Sequence, residues 1–483
     1  MRFFSLNILR LSWLPLLLAS PAQAQSPAYR FSLQAEKLGV PASPWYVTRV
    51  LDLRSDRSQL GTVHRGLGNQ LTSANFTQPL TAEVLQLLNA RLPARPGAHP
   101  VVLRVFAMSV AEDLRPTSEH AEAELIADFL EPLPDSTFRV LLPVGEMTRR
   151  GGLDVTKFHP ANLALLLQQA LQQLAALPAA PPNAPTLSRA DALAGHGGAA
   201  ARTFAVQSAS APRRGLYRSL QEFRDNTPGE PAQPFVVKHL PHTGKRWAGS
   251  DEIQVDYLFL DAAHPARAVP AGDLWGLSDG KELFIAYRNH FYQLLASADG
   301  RTYTFTGPPV FDLQAANARA TAAVVGGLVG VAIASAAMGP DVMALYELNV
   351  ASGRVVPAQH SEQTDADGFV RAPDTARVYV YRRGNPGDGP VVRLRAANQP
   401  PQDLPARQWQ QIAWTDRRHE LRLCAETNQQ PAACEEFVPD FSQPNYLECI
   451  VSAAGGPPTL VPVPAKEGAF EVKRLRLLNK NRK

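Results

Sequence analysis

The chain has 483 residues, 45% apolar and 19% charged, with a formal charge of +4. That length holds about three domains, each with apolar residues to spare for a core. The positive charge sits at the two ends and leaves the body net negative, which excludes a generally basic nucleic-acid binder.

Residues 1–24 read as a signal peptide. Arg2 and Arg10 supply the basic region, Leu11–Ala19 the apolar core, and Ala22-Gln23-Ala24 the cleavage site. No Cys follows that site, so a lipid-anchored N-terminus is not expected. The mature chain, from Gln25, is expected to be exported to the periplasm or to associate with the outer membrane.

Residues 25–178 predict an α+β sandwich. Trp45–Arg54, Pro100–Ala111, Ala121–Leu130 and Thr137–Met147 read as strands; the third also fits a helix, and strand is chosen because it completes the sheet. Thr81–Leu92 reads as a helix capped by Thr81. Asn162–Leu177 is the clearest helix, with apolar residues at 163, 166, 167, 170, 171, 174 and 177 and glutamines opposite. Pro160 suits its first turn and Pro178 ends it. This order predicts helices on one face of a mainly antiparallel sheet.

Residues 179–212 are rich in Pro, Ala and Gly and read as a linker with too few bulky side chains for a core. Residues 213–358 predict a β-rich module, with strands at Phe235–Leu240, Glu252–Leu260 and Leu283–Leu295. Segments 283–297 and 302–306 read as one hairpin, and Ala344–Val350 with Arg354–Pro357 as another. Between them lies 320–340, 21 uncharged residues including seven Ala and four Gly. It is long enough to span a bilayer. Gly326, Gly330 and Ala334 put small residues on one helical face for close helix packing. Membrane contact, oligomerisation through this segment and burial against protein all fit it. A single crossing would split the two flanking hairpins across a membrane, which argues against one.

Residues 359–483 predict a β-sandwich-like module, with strands at Ala376–Arg382, Val391–Arg395, Gln410–Trp414, Glu420–Cys424 and Ala469–Leu478, ending in a basic tail. Its cysteines are Cys424, Cys434 and Cys449; Cys424 with Cys434 is the favoured disulfide. The fold class is therefore multi-domain α+β and all-β: an N-terminal α+β sandwich followed by two β-rich modules.

No G-x-S-x-G, H-E-x-x-H, P-loop or Rossmann glycine pattern occurs, and neither a cofactor nor a metal is expected. His239 and His242 read as exposed loop histidines with no carboxylate nearby. Asp365-Ala366-Asp367-Gly368 starts like a calcium loop, but its later positions lack ligands, so a turn is expected. Glu119, Glu122 and Glu124 read as a solvated face. Two stretches are more distinctive: Gly215–Pro228, with Tyr217 and Phe223, and Trp275–Ile285, with Asp279 and Lys281. Each reads as a structural corner or a loop facing a ligand or partner.

These two stretches resemble motifs of a group of exported, uncharacterised Bacteroidota proteins. Gly215, Tyr217, Glu222, Phe223, Asn226 and Pro228 match the first motif; Trp275, Gly276, Ser278, Asp279, Gly280 and Lys281 match the second. The resemblance covers the middle module and implies no activity. The first module is similar, more loosely, to periplasmic auxiliary-lipoprotein folds, on its element order and Asp52-Leu53-Arg54, but without their lipid-bearing Cys. The expectation is a non-catalytic envelope protein, a structural or adaptor component. A periplasmic ligand-binding protein, or less so a hydrolase, is the alternative.

Overall fold

The structure, a computed structural model, describes residues 28–310 and 342–480 apart from breaks at 42, 66–69, 116–117, 179–183, 230–233, 259–265, 298–299, 301, 359–363, 366–367, 398, 429 and 453–455. The signal peptide and 320–340, with Gly326, Gly330 and Ala334, lie outside the described residues. Among those described, no helix is long and apolar enough to cross a membrane.

The first module contains β1 (Tyr29–Phe31), β2 (Trp45–Asp52), β3 (Gly61–Arg65), β4 (Gln70–Phe76), α1 (Leu80–Arg91), β5 (His99–Leu114), β6 (Glu119–Pro132), β7 (Phe138–Gly152) and α2 (His159–Ala175). Its sheet runs β1-β4-β3-β5-β6-β7, with β2 also on β5. The sheet is mixed, because β1/β4, β2/β5 and β3/β5 are parallel pairs. Both helices bury into one core: Val84, Leu87 and Leu88 of α1, and Leu163, Leu166, Leu167 and Leu171 of α2. Thr81 is not the N-cap; Pro79 holds that position and Thr81 lies in the first turn.

The stretch expected to be a free linker is packed. Thr186–Leu187 (β8) adds to the sheet edge beside Phe138 and Arg139. Arg189–Ala194 (α3) follows, capped by the Ser188 side chain, and then Ala205–Ser208 (α4). Ala192 and Leu187 join Val102, Leu130 and Val140 in a small core. Polar anchoring replaces bulk here: buried Arg104 donates to the carbonyls of Ala192 and His196 at 3.2 and 3.0 Å.

The second module has β9 (Gly215–Tyr217), α5 (Leu220–Arg224), β10 (Phe235–Leu240), β11 (Glu252–Leu258), β12 (Ala266–Ala268), β13 (Gly276–Ser278), β14 (Leu283–Tyr287), β15 (His290–Ala296), β16 (Thr302–Gly307), β17 (Ala344–Asn349) and β18 (Val355–Pro357). Its sheet runs β18-β17-β16-β15-β14-β13-β9. The single strand expected over 283–295 is two strands. Arg288 and Asn289, with φ of 49° and 64°, form the tight turn between them. The hairpins on either side of 320–340 belong to one sheet. Gly307 at the end of β16 pairs with Ala344 at the start of β17. The chain therefore leaves and re-enters at adjacent points, which is incompatible with a single crossing that separates the hairpins.

The third module is a sandwich of two four-stranded sheets. Its strands are β19 (Ala376–Tyr381), β20 (Val392–Ala396), β21 (Gln402–Leu404), β22 (Trp409–Trp414), β23 (Leu421–Thr427), β24 (Gln430–Phe437), β25 (Asn445–Ile450) and β26 (Thr459–Val463). The sheets run β22-β19-β25-β26 and β21-β20-β23-β24. Val378, Val380, Ile412 and Leu447 from one face Leu394, Leu421 and Leu423 from the other. Cys424 and Cys434 are cross-strand partners joined by a disulfide, and Cys449 is free and buried. The last element is a helix, α6 (Ala465–Lys480), where a strand was expected over 469–478. Its buried positions, 468, 471, 472 and 475, keep helical spacing.

Candidate functional site at the three-module junction

The alternation Ala-Glu-Ala-Glu in β6 turns two faces to two environments. Ala123, Leu125 and Ala127 point to the helices and the main core. Glu122, Glu124 and Asp128 point the other way, to the second module and the packed 186–208 segment. They do not lie on a solvated face. Glu124, 4% exposed, accepts from Ser109 Oγ at 3.1 Å, from Arg354 Nη1 at 3.2 Å and from Ser352 Oγ. Glu122 lies 3.5 Å from Arg149, and burial pushes its carboxyl up to about 7. Asp113, at the end of β5, accepts from Arg288 at 2.8 Å. Arg224 of α5, 3% exposed, donates to the Gly145 carbonyl at 2.7 Å and to the Val350 carbonyl at 2.9 Å. The first and second modules are thus joined by charge-assisted bonds, stronger than neutral ones.

The third module docks on the first by similar means. Arg57 pairs with Glu420 at 2.7 Å and Arg417 with Asp56 at 3.2 Å. The Gln59 side chain reaches the Val370 carbonyl at 3.3 Å.

Where the three modules meet there is a cleft of about 200 Å³. The first module lines it with Arg54, Asp56, Phe106, Met108, Ser109 and Glu124; the second with Glu347, Asn349 and Arg354; Phe369 closes it from the start of the third. Arg54 is fixed there by a bidentate pair with Asp52, both bonds at 2.9 Å. Phe106 stands at the bulge between Val105 and Ala107, where β5 opposes two residues to one on β6. Sequence reading missed this cleft because its walls come from segments some 300 positions apart in the chain, from Arg54 to Phe369. The only available signal was the β6 alternation.

A second cluster sits on the helix side of the first sheet. Glu112 accepts from the His64 amide at 2.6 Å and from Thr156 Oγ1 at 2.8 Å, with the His64 and His159 rings at 3.3 and 3.2 Å. Burial alone would raise this carboxyl, but hydrogen bonds from His159 and His64 outweigh it and hold the pKa at about 2. Each histidine is more than 40 residues from Glu112, so no local motif announced the cluster.

The residues singled out from sequence fall elsewhere. Tyr217 and Phe223 are wholly buried. The Phe223 ring packs on Trp275 at 4.3 Å and on Tyr217 at 5.5 Å. Tyr217 donates its hydroxyl to Asn226 at 3.0 Å. These two aromatics are core residues of the structural corner and present no ligand face. Asp279 accepts from the amides of Lys281 and Glu282 at 2.8 Å, fixing the β13–β14 turn, and Lys281 is exposed.

His239 and His242 do have carboxylates beside them. His239 lies 3.0 Å from Glu282 and 3.5 Å from Asp251; His242 lies 3.2 Å from Glu252 and stacks on Trp247. The β10–β11 hairpin brings Glu252 back from 10 positions along the chain and Asp251 from 12, while Glu282 comes from 43 positions away. Among the described residues, no group of three or more His, Cys, Asp or Glu is arranged to hold a metal ion. Asp365 accepts from the Phe369 amide at 2.9 Å and heads a turn.

No family model matches this chain, and no curated protein matches it. Among solved structures, a chain named "Trapped Toxin" is 7% identical with a TM-score of 0.15, covering 74% of this chain and 92% of that one. A score that low carries no likeness of fold.

Proposed function

We propose that this is an exported, non-catalytic protein of the cell envelope, acting as an adaptor or binding component, with the junction cleft as its site of contact. The observation that carries this reading is the composite cleft. Three modules are locked by ion pairs and charge-assisted bonds into one scaffold, and the charged groups lining the cleft, Glu347 apart, are already paired: Arg54 with Asp52, Arg354 with Glu124, Asp56 with Arg417. Such a lining suits recognition of a polar ligand or peptide segment. General acid–base work instead needs a group poised to exchange its proton with substrate.

Thermal denaturation of the mature chain with a panel of glycans, muropeptides and envelope-protein peptides tests this. A stabilising member is expected, worth about 2.7 kcal/mol at 100 times its Kd. The stabilisation should vanish in Glu347→Lys, a cleft-lining change. Turnover of a panel member would instead favour a hydrolase. Carbonate extraction of cell membranes tests association through 320–340: full release to the soluble fraction rejects it.

A further inference from the structure

The C-terminal helix α6 has two faces of opposite use. Its inner face is fixed to the sandwich. Val472 and Leu475 are buried among Tyr379, Tyr381, Trp409 and Tyr446. Gly468 lies so close to the Tyr446 ring that any side chain there would collide. Arg476 lies over the Trp409 ring at 4.4 Å, and Glu471 holds Arg474 at 2.8 Å.

The outer face carries Lys466, Phe470, Lys473, Leu477 and Lys480, spaced by four, three, four and three residues, which is one continuous helical stripe. All five are exposed; Phe470 is 62% and Leu477 55% exposed. The three lysines form no ion pair among the described residues, whereas both acids of the helix are engaged, Glu467 with Arg383 and Glu471 with Arg474. Arg482 and Lys483 follow in the sequence.

We infer that this stripe of α6 docks the protein on an anionic lipid surface, with Phe470 and Leu477 entering the headgroup layer and Lys466, Lys473 and Lys480 facing the lipid phosphates. The chemistry is that of an interfacial helix, with apolar side chains at the acyl boundary and lysines around them. Lysines alternate with the apolar side chains along the whole stripe, which matches a continuous layer of phosphates; a protein groove taking the i and i+7 anchors is the other occupant, and failure to bind anionic vesicles is the outcome that would favour it. A fluid headgroup layer receives each apolar side chain independently. The inference concerns the third module alone and does not rest on the junction cleft or on 320–340.

The test is co-sedimentation of the mature chain with vesicles of phosphatidylcholine, with and without phosphatidylglycerol. The wild type should pellet with the anionic vesicles, lose binding at high salt, and ignore neutral vesicles. The variant Lys466→Glu/Lys473→Glu/Lys480→Glu should bind at least about tenfold more weakly. Phe470→Ser/Leu477→Ser should also weaken binding, with an unchanged melting temperature because both side chains are exposed. No binding of the wild type to anionic vesicles would overturn the inference, as would equal binding by either variant. A wild type that binds neutral vesicles equally well would point to 320–340 and also overturn it.

Discussion

Arg104 and Asp128 are cross-strand partners on β5 and β6 that meet as a bidentate pair, at 2.8 and 2.7 Å, with neither side chain reaching solvent. Asp128 also accepts from the Ala199 amide at 2.9 Å. The pair therefore does two jobs: it closes the sheet face and holds the 186–208 segment against it. Removing one partner leaves a buried charge without compensation. Arg104→Met should cost about 3–5 kcal/mol in urea denaturation. Limited proteolysis should cut within 186–208 first, before the sheet unfolds.

Gly198 offers a gentler probe of the same contact. Its φ is +59°, and a methyl group there would run into the carboxylate of Asp128 and the guanidinium of Arg104. Gly198→Ala should expose the 186–208 segment to protease and lower the melting temperature.

Glu112 gives the protein an acid-sensitive contact. Its folded pKa of about 2 lies below the ordinary 4.5. The stabilisation is complete above about pH 4.5 and is lost as pH falls toward 2, amounting to ~3 kcal/mol at neutrality. Glu112→Gln should be less stable at pH 7 and should lack this acid-dependent loss. Denaturant midpoints measured across that range give the answer.

The thiols can be counted. Cys424 and Cys434 are bridged, and Cys449 is 2% exposed with its thiol pushed by burial to about 11. A maleimide should label the folded protein at least ~100-fold more slowly than the unfolded one. Mass spectrometry should find one label after unfolding without reductant and three with it.

The aromatic corner separates packing from recognition. Phe223→Ala should cost about 3–5 kcal/mol, as expected for an emptied core site. Lys281→Ala should stay within about 0.5 kcal/mol of the wild type. A large stability loss at Lys281 would contradict the placement of that turn at the surface.

Much of the architecture was legible because most elements keep a strong period. The α2 stripe, the alternation of β19 and the long apolar run of β5 each bury one side and announce themselves. Short strands such as β21 and β26 were missed because three to five residues carry too little period to register. α6 reads as a strand in sequence because only Phe470 and Val472 alternate clearly and the buried helical face is completed by Gly468 and Glu471, which carry little apolar signal. The candidate site was the least legible part. Glu124 and Arg354 meet only after two modules pack, and the alternation of β6 gave the acids' face without its partner.

The pairing of Gly307 with Ala344 also bears on what the second module tolerates. Strand neighbours stand about 4.8 Å apart, so the hydrogen-bond ladder sees only the two ends of the intervening segment. For a flexible chain, the entropy of closing a loop rises by only ~0.6 kcal/mol for each doubling in length, so the β16–β17 register does not depend on how many residues separate Gly307 from Ala344. The ladder is in effect indifferent to the length of chain it encloses.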